Sequence, residues 1–189
     1  MATTETDLLD AVLTDTAATI SAVTPDQQHW PTPCPDFDVA RIVDHLVGWT
    51  SRFAAQMAGR AVEGDPDDFR TAGDPAAEFR QAAHTIVAAH RHGGEASKQL
   101  PVGIILMESL VHGWDIATAT GQTVTFSAEA VDQALVAGRQ MLKPEYRGPG
   151  KSFGLEVAAS AAANPLQRLV AFLGRDPHWQ PPARGGGND

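Results

Sequence analysis

The chain has a single cysteine, Cys34, which excludes an internal disulfide and any cysteine-rich zinc framework. Aromatic residues are 6% of the total. That is little material for the half-buried faces of a β-sheet, which favour aromatic and β-branched side chains. Basic charge is also scarce: 14 lysines and arginines stand against 23 acidic residues, a formal net charge of −9. Apart from the short His90-Arg91-His92 there is no basic run, so a surface that neutralises phosphates is missing and nucleic acid is not an expected partner. No apolar run approaches the roughly 20 residues that cross a bilayer. The start, Met1-Ala-Thr-Thr-Glu-Thr-Asp7, is acidic where a signal peptide is positive. No membrane is expected as a partner, and a cytoplasmic location is.

What is present fits one compact domain. At 189 residues and 43% hydrophobic, the chain can bury a sizeable core. Alanine is plentiful in periodic stretches, which favours an all-α fold. Leu8, Leu9, Val12, Leu13, Ile20 and Val23 define a first helix, ended by Pro25. A second runs from an Asp38 N-cap to about Ala58, carrying Val39, Ile42, Val43, Leu46, Val47 and Phe53. An acidic loop broken by glycine and proline, Gly59 to Asp74, shows no periodicity. Pro75 opens a third helix that stops at Gly93-Gly94, and a fourth follows Pro101 to Gly121. A fifth is expected over about Ser127 to Leu142 and a short last one from Pro165 to Gly174, after a looser segment from Lys143 to Asn164. The four longest can form a four-helix bundle whose interior offers ligands from facing helices. Residues 1–179 are read as one domain and 180–189 as a disordered tail.

The fourth helix carries the strongest chemical signal. Each residue turns a helix by about 100°, so positions four and seven residues on lie within roughly 40° of the first. Glu108, His112 and Asp115 therefore share one stripe on a helix that is otherwise apolar nearly all the way round, which is how a helix buried among neighbours reads. A buried carboxylate beside a buried imidazole requires pairing, hydrogen bonds or a cation, and a metal satisfies both groups. His45, beside the Ile42/Leu46/Trp49 face of the second helix, is the candidate third ligand. Two histidines and one carboxylate with open positions suit a divalent metal, most naturally Zn²⁺, with Ni²⁺ or Fe²⁺ acceptable to the same donors. The other reading of Glu108 and His112 is an ordinary stabilising helix pair at four-residue spacing.

Three stretches resemble a known family: Trp30-Pro-Thr-Pro-Cys-Pro-Asp-Phe-Asp-Val39 leading to His45-Leu-Val-Gly48, then Glu108-Ser-Leu-Val-His-Gly-Trp-Asp-Ile-Ala117, then Phe172-Leu-Gly-Arg-Asp-Pro177. In content, order and spacing they are similar to the bacterial mycothiol-dependent maleylpyruvate isomerase metal-binding domain family, a branch of the DinB-like bundles, over about residues 5 to 179. The resemblance implies a DinB-like antiparallel four-helix bundle with additional C-terminal helices. It also implies an actinobacterial-type protein with His45, Glu108 and His112 as metal ligands, and a low-molecular-weight thiol such as mycothiol as cosubstrate. The partners it implies are a small-molecule substrate or thiol, with the chain a monomer or homodimer. The chain is expected to lack room for the isomerase's full second domain, so the resemblance carries thiol chemistry without fixing the substrate.

Two functions of different class follow. One is a thiol-dependent isomerase or S-transferase acting through a metal-activated thiolate. The other is a non-catalytic metal-binding or small-ligand-sensing bundle in which the ion ties two helices together. Among the remaining residues, Asp115 divides evenly between an acceptor that fixes the His112 tautomer and a local cap. Cys34, between Pro33 and Pro35, reads as packing rather than a reactive thiol, and Trp49 and Trp114 read as core. His84, His90 and His92 read as a solvated edge, and His29 and His178 sit at element ends. Arg168 and Arg175 are read as closing the C-terminal helix, on Asp176, rather than binding an anion.

Overall fold

Helix punctuation in this chain follows the capping chemistry of its sequence. In the computed structural model, which describes residues 3–95, 100–149, 151 and 153–182, there are six α-helices and no β-sheet among the described residues. Helix α1, Glu5–Ser21, opens on a capping box in which the Thr4 side chain accepts from the Asp7 amide while Asp7 accepts from the Thr4 amide. Helix α2, Val39–Met57, is capped by Asp38, whose carboxylate accepts from the Arg41 amide at 2.9 Å. Helix α3, Pro75–His92, has Asp74 as its cap and proline at its first position, and ends at Gly93 in the left-handed region. Helix α4, Val102–Thr120, ends the same way at Gly121. Helices α5, Ala128–Met141, and α6, Pro165–Phe172, start at Ser127 and at an Asn164/Gln167 capping box. These bounds match the expected elements to within a residue or two at most ends. Part of the expected tail, residues 183–189, lies outside the described residues.

The four long helices form the bundle. Around it, α1 lies beside α3 and α4, and α2 beside α3 and α4. Helices α1 and α3 run in opposite senses, so that Thr6 and Glu5 at the start of one meet His90 near the end of the other. Helices α2 and α4 are the second antiparallel pair. Helices α1 and α4 share a direction: Thr16 Oγ1 donates to the Ser109 carbonyl and Gln122 Nε2 to the Thr19 carbonyl. The long connection between α2 and α3 allows this arrangement, because it can return the chain to the end of the bundle where α2 began. Phe79, Leu9, Leu13, Ile42, Leu46, Ile86, Ile105, Leu106 and Leu110 fill the interior, each essentially without exposure.

Helix α4 is the central element. It packs on α1 and α2 on one side and on α5 on the other, which explains why its sequence is apolar almost all round. By length and composition it passes for a membrane span, yet 78% of it is buried inside the protein. Burying a helix on every side strands any polar group it carries, so Glu108, His112 and Asp115 must find partners within the fold.

Candidate metal centre

Both histidines bring the same nitrogen to the same oxygen. His45 from α2 and His112 from α4 each place Nε2 3.5 Å from Glu108 Oε2. One ligand atom from each of the three residues lies within 4.8 Å of the other two. The imidazole rings meet nearly edge to face, with centroids 4.9 Å apart. Helical spacing sets half of this geometry, since Glu108 and His112 are one turn apart on α4. The antiparallel packing of α2 against α4 supplies the other half by turning His45 inward, as the Ile42/Leu46 face suggested.

Each histidine is held from behind by a carboxylate. His112 Nδ1 lies 3.0 Å from Asp115 Oδ2, and His45 Nδ1 lies 2.8 Å from Asp67 Oδ1. An ionised carboxylate only accepts, so Nδ1 is the donor in both contacts, and Nε2 of each ring faces Glu108, as a lone pair when the ring is neutral and as a donor when it is protonated. Of the two sequence alternatives for Asp115, the contact with the imidazole is the one formed. Asp67 was not among the candidate residues. It sits in a short 3₁₀ turn, Pro66–Asp68, within the acidic loop, and also accepts from Trp49 Nε1 at 3.1 Å.

A stripe along α2 brings that loop into place. Arg41 donates to the Asp67 carbonyl, Asp44 accepts from the Thr71 amide and hydroxyl, and Arg52 donates to the Gly64 carbonyl. Gly48, at the centre of the stripe, has no side chain because none fits: a Cβ there would stand 2.7 Å from the Pro66 carbonyl oxygen and 2.8 Å from Phe69 Cβ. Glycine in mid-helix, flanked at three- and four-residue spacing by Arg41, Asp44 and Arg52, was the available sign that the loop lies on this face.

The electrostatics suit a cation. Burial pushes the Glu108 carboxyl upward, but the His45 hydrogen bond and the charges of His112, His45 and Arg175 outweigh it, and the group is held below its ordinary range. Burial pulls the His112 imidazole below its ordinary value despite Asp115 and Glu108, which favour its charged form. A carboxylate facing a neutral imidazole is the protonation state a divalent metal requires of its ligands. The donors are two imidazole nitrogens and one carboxylate oxygen, and the residues present fit such an ion.

The structure revises two expectations. Arg175 turns away from Asp176 and pairs with Asp115 inside the protein, Nη2 to Oδ2 3.3 Å. His90 is not a solvated edge: its side chain is 19% exposed and bonds Thr6 and Glu5, tying α3 to α1. Cys34 is packed against the core, and burial pushes its thiol up to about 11, which agrees with a packing role. Trp49 packs on the core and lies beside His45, ring centroids 6.2 Å apart, with its Nε1 on Asp67.

Fold and site together define a helical bundle with a two-histidine, one-carboxylate centre in its interior. Comparison with known proteins places it more closely: the chain belongs to the mycothiol maleylpyruvate isomerase N-terminal domain family, a mycothiol-related, metal-binding family whose model matches residues 9–100. That match includes His45 and ends before Glu108 and His112. The chain is also 33% identical over 169 residues to the uncharacterized protein Rv0738 of Mycobacterium tuberculosis strain H37Rv, covering 84% of this chain and 91% of the relative. The uncharacterized protein MT0763 of strain CDC 1551 matches with the same identity and coverage. No solved structure matches.

Proposed function

We propose that residues 1–179 form a single metal-binding domain in which His45, Glu108 and His112 hold one divalent ion, most naturally Zn²⁺, and that the site serves a thiol-dependent isomerase or S-transferase of the cytoplasm. The observation that carries this reading is the convergence of His45 Nε2 and His112 Nε2 on a single Glu108 oxygen, each at 3.5 Å. A structural carboxylate–histidine pair needs one imidazole. Two, each oriented through Nδ1 by its own carboxylate, are what a metal site needs and a helix pair does not.

Three protein ligands would leave room for an exogenous one, and a divalent ion so held would supply the charge that lets a small thiol bind there as its thiolate at neutral pH. The family likeness points to mycothiol as that thiol. The chain's own residues have separate tasks. Glu108 and the two imidazoles bind; Asp67 and Asp115 keep both rings in the binding tautomer; Trp49, 6.2 Å from His45, and Phe37, 5.3 Å from it, wall the His45 side against water. The small-molecule substrate is bound beside the thiol.

Elemental mass spectrometry on the untagged protein tests the site. About one ion per chain, lost in His45→Ala, Glu108→Ala and His112→Ala while the helical spectrum is kept, is the expected result. Wild-type protein free of metal, or variants that keep a stoichiometric ion, would refute it. With the metal established, thiol-dependent conversion of an electrophilic small molecule by the loaded protein, with the thiol consumed in S-transfer or returned in isomerisation, supports turnover. A loaded protein that converts none, and whose melting temperature collapses on chelation, supports a structural ion instead.

A further inference from the structure

The two carboxylates behind the histidines are not equivalent. Asp67 is half-exposed, 51% at its side chain, in a loop. Asp115 is fully buried, and its Oδ2 is shared between His112 Nδ1 at 3.0 Å and Arg175 Nη2 at 3.3 Å. Arg175 is itself 6% exposed at its side chain. The Arg175 guanidinium is the cation that meets Asp115, and by holding Oδ2 it fixes in place the acceptor that His112 Nδ1 meets.

The segment after α6 is shaped to deliver that guanidinium. The turn residue, Gly174, has a φ of 87°, a conformation that L side chains rarely adopt. Its backbone also touches that of Gly154, since a Cβ on Gly174 would fall 2.6 Å from Gly154 Cα. The Arg175 amide then donates to the Val170 carbonyl at 2.9 Å, and Nη1 to the Leu173 carbonyl at 3.0 Å. Backbone and guanidinium are therefore both fixed, and the charge is aimed 60 residues back along the chain at α4.

Resting on the metal-site reading above, we propose that Arg175 is a positioning residue for the metal centre: from the segment beyond α6 it holds Asp115, which holds His112 with Nδ1 protonated and Nε2 free to bind. The C-terminal segment is thereby part of the site although it contributes no ligand. Residues that orient a ligating histidine change metal affinity by about 10- to 100-fold when lost.

The test compares wild type with R175M, R175K and D115N/R175M, using Zn²⁺ competition against a chromophoric chelator and ¹⁵N shifts of the His112 ring in metal-free protein. R175M should bind Zn²⁺ about 10- to 100-fold more weakly, with His112 no longer held as the Nδ1–H tautomer. R175K, which keeps the charge, should recover most of the affinity. Should R175M fail to fold, D115N/R175M carries the test, because it leaves no unpaired charge buried; its amide offers Nδ1 a donor or an acceptor, so affinity stays low and the tautomer mixed. Folded R175M, or the double variant, with wild-type affinity and an unchanged His112 tautomer would overturn the proposal. Wild type that binds no Zn²⁺ overturns the metal-site reading instead, and the His112 tautomer then decides the role of Arg175 alone.

Discussion

Replacing Gly48 with alanine sets two known effects against each other at one atom. Alanine is favoured over glycine in a helix interior by about 1 kcal/mol, and the Gly48 backbone is ordinary helix, so at an open position G48A would stabilise α2. This position is closed. The new Cβ would meet the Pro66 carbonyl oxygen at 2.7 Å, where ordinary contact begins at 3.4 Å, so the loop must retreat by about 0.7 Å. Overpacking of this kind costs about 1–3 kcal/mol, leaving a net loss of up to about 2 kcal/mol. The larger consequence is at the metal. Pro66 is the neighbour of Asp67, and a retreat of that size stretches the 2.8 Å contact with His45 Nδ1 beyond hydrogen-bonding range. Zn²⁺ affinity should fall by about 10- to 100-fold, or roughly 1.4–2.7 kcal/mol, as for other lost carboxylate–histidine contacts.

The assay is chelator competition on wild type, G48A, D67A and G48A/D67A, with a urea melt of each. If the methyl group acts by moving Asp67, D67A already contains its effect on binding, and the double variant binds no more weakly than D67A. G48A with wild-type affinity would refute this mechanism. So would two losses that simply add, since the methyl would then act by some route other than Asp67.

Two further outcomes follow from the electrostatics. Burial lowers the His112 pKa, so between that folded value and the unfolded one near 6.5 the unfolded chain binds the extra proton; the contribution is complete above pH ~6.5 and is lost as pH falls below it. In chelator-treated protein, wild type should therefore lose more urea stability than His112→Asn between pH 7.5 and 5.5, and parallel losses would contradict the assignment. Cys34, with its thiol pushed up to about 11 from an ordinary 9.0, should be alkylated by iodoacetamide at pH 8 about 100-fold more slowly than an exposed thiol, recovering in urea. Rapid native alkylation would mean that the loop around Cys34 opens.

What the sequence disclosed and what it withheld divide along one physical line. Helix bounds depend on near neighbours: Asp38 before Val39, Pro75 at a first turn, Gly93 and Gly121 past the ends, and each was legible because the cap and its target are a few residues apart. Glu108 and His112 were legible for the same reason, being one helical turn apart. His45 could be nominated from its place beside an apolar face, but only the packing of α2 on α4 decides that its ring meets theirs. Asp67 and the partner of Arg175 were out of reach, because no near neighbour identifies what either one meets. Asp67 lies in a loop without periodicity, and Arg175 stands directly before an acidic neighbour that offers a closer and more ordinary partner than a carboxylate on α4. The residues that hold a site steady are harder to read than those that form it: a ligand must be of a particular type at a particular spacing, whereas its support needs only a charge arriving from wherever the fold can deliver one. Where such support is delivered, the backbone records it as glycine at a contact too close for a side chain. Gly48 under the Asp67 loop and Gly174 against Gly154 are both of this kind.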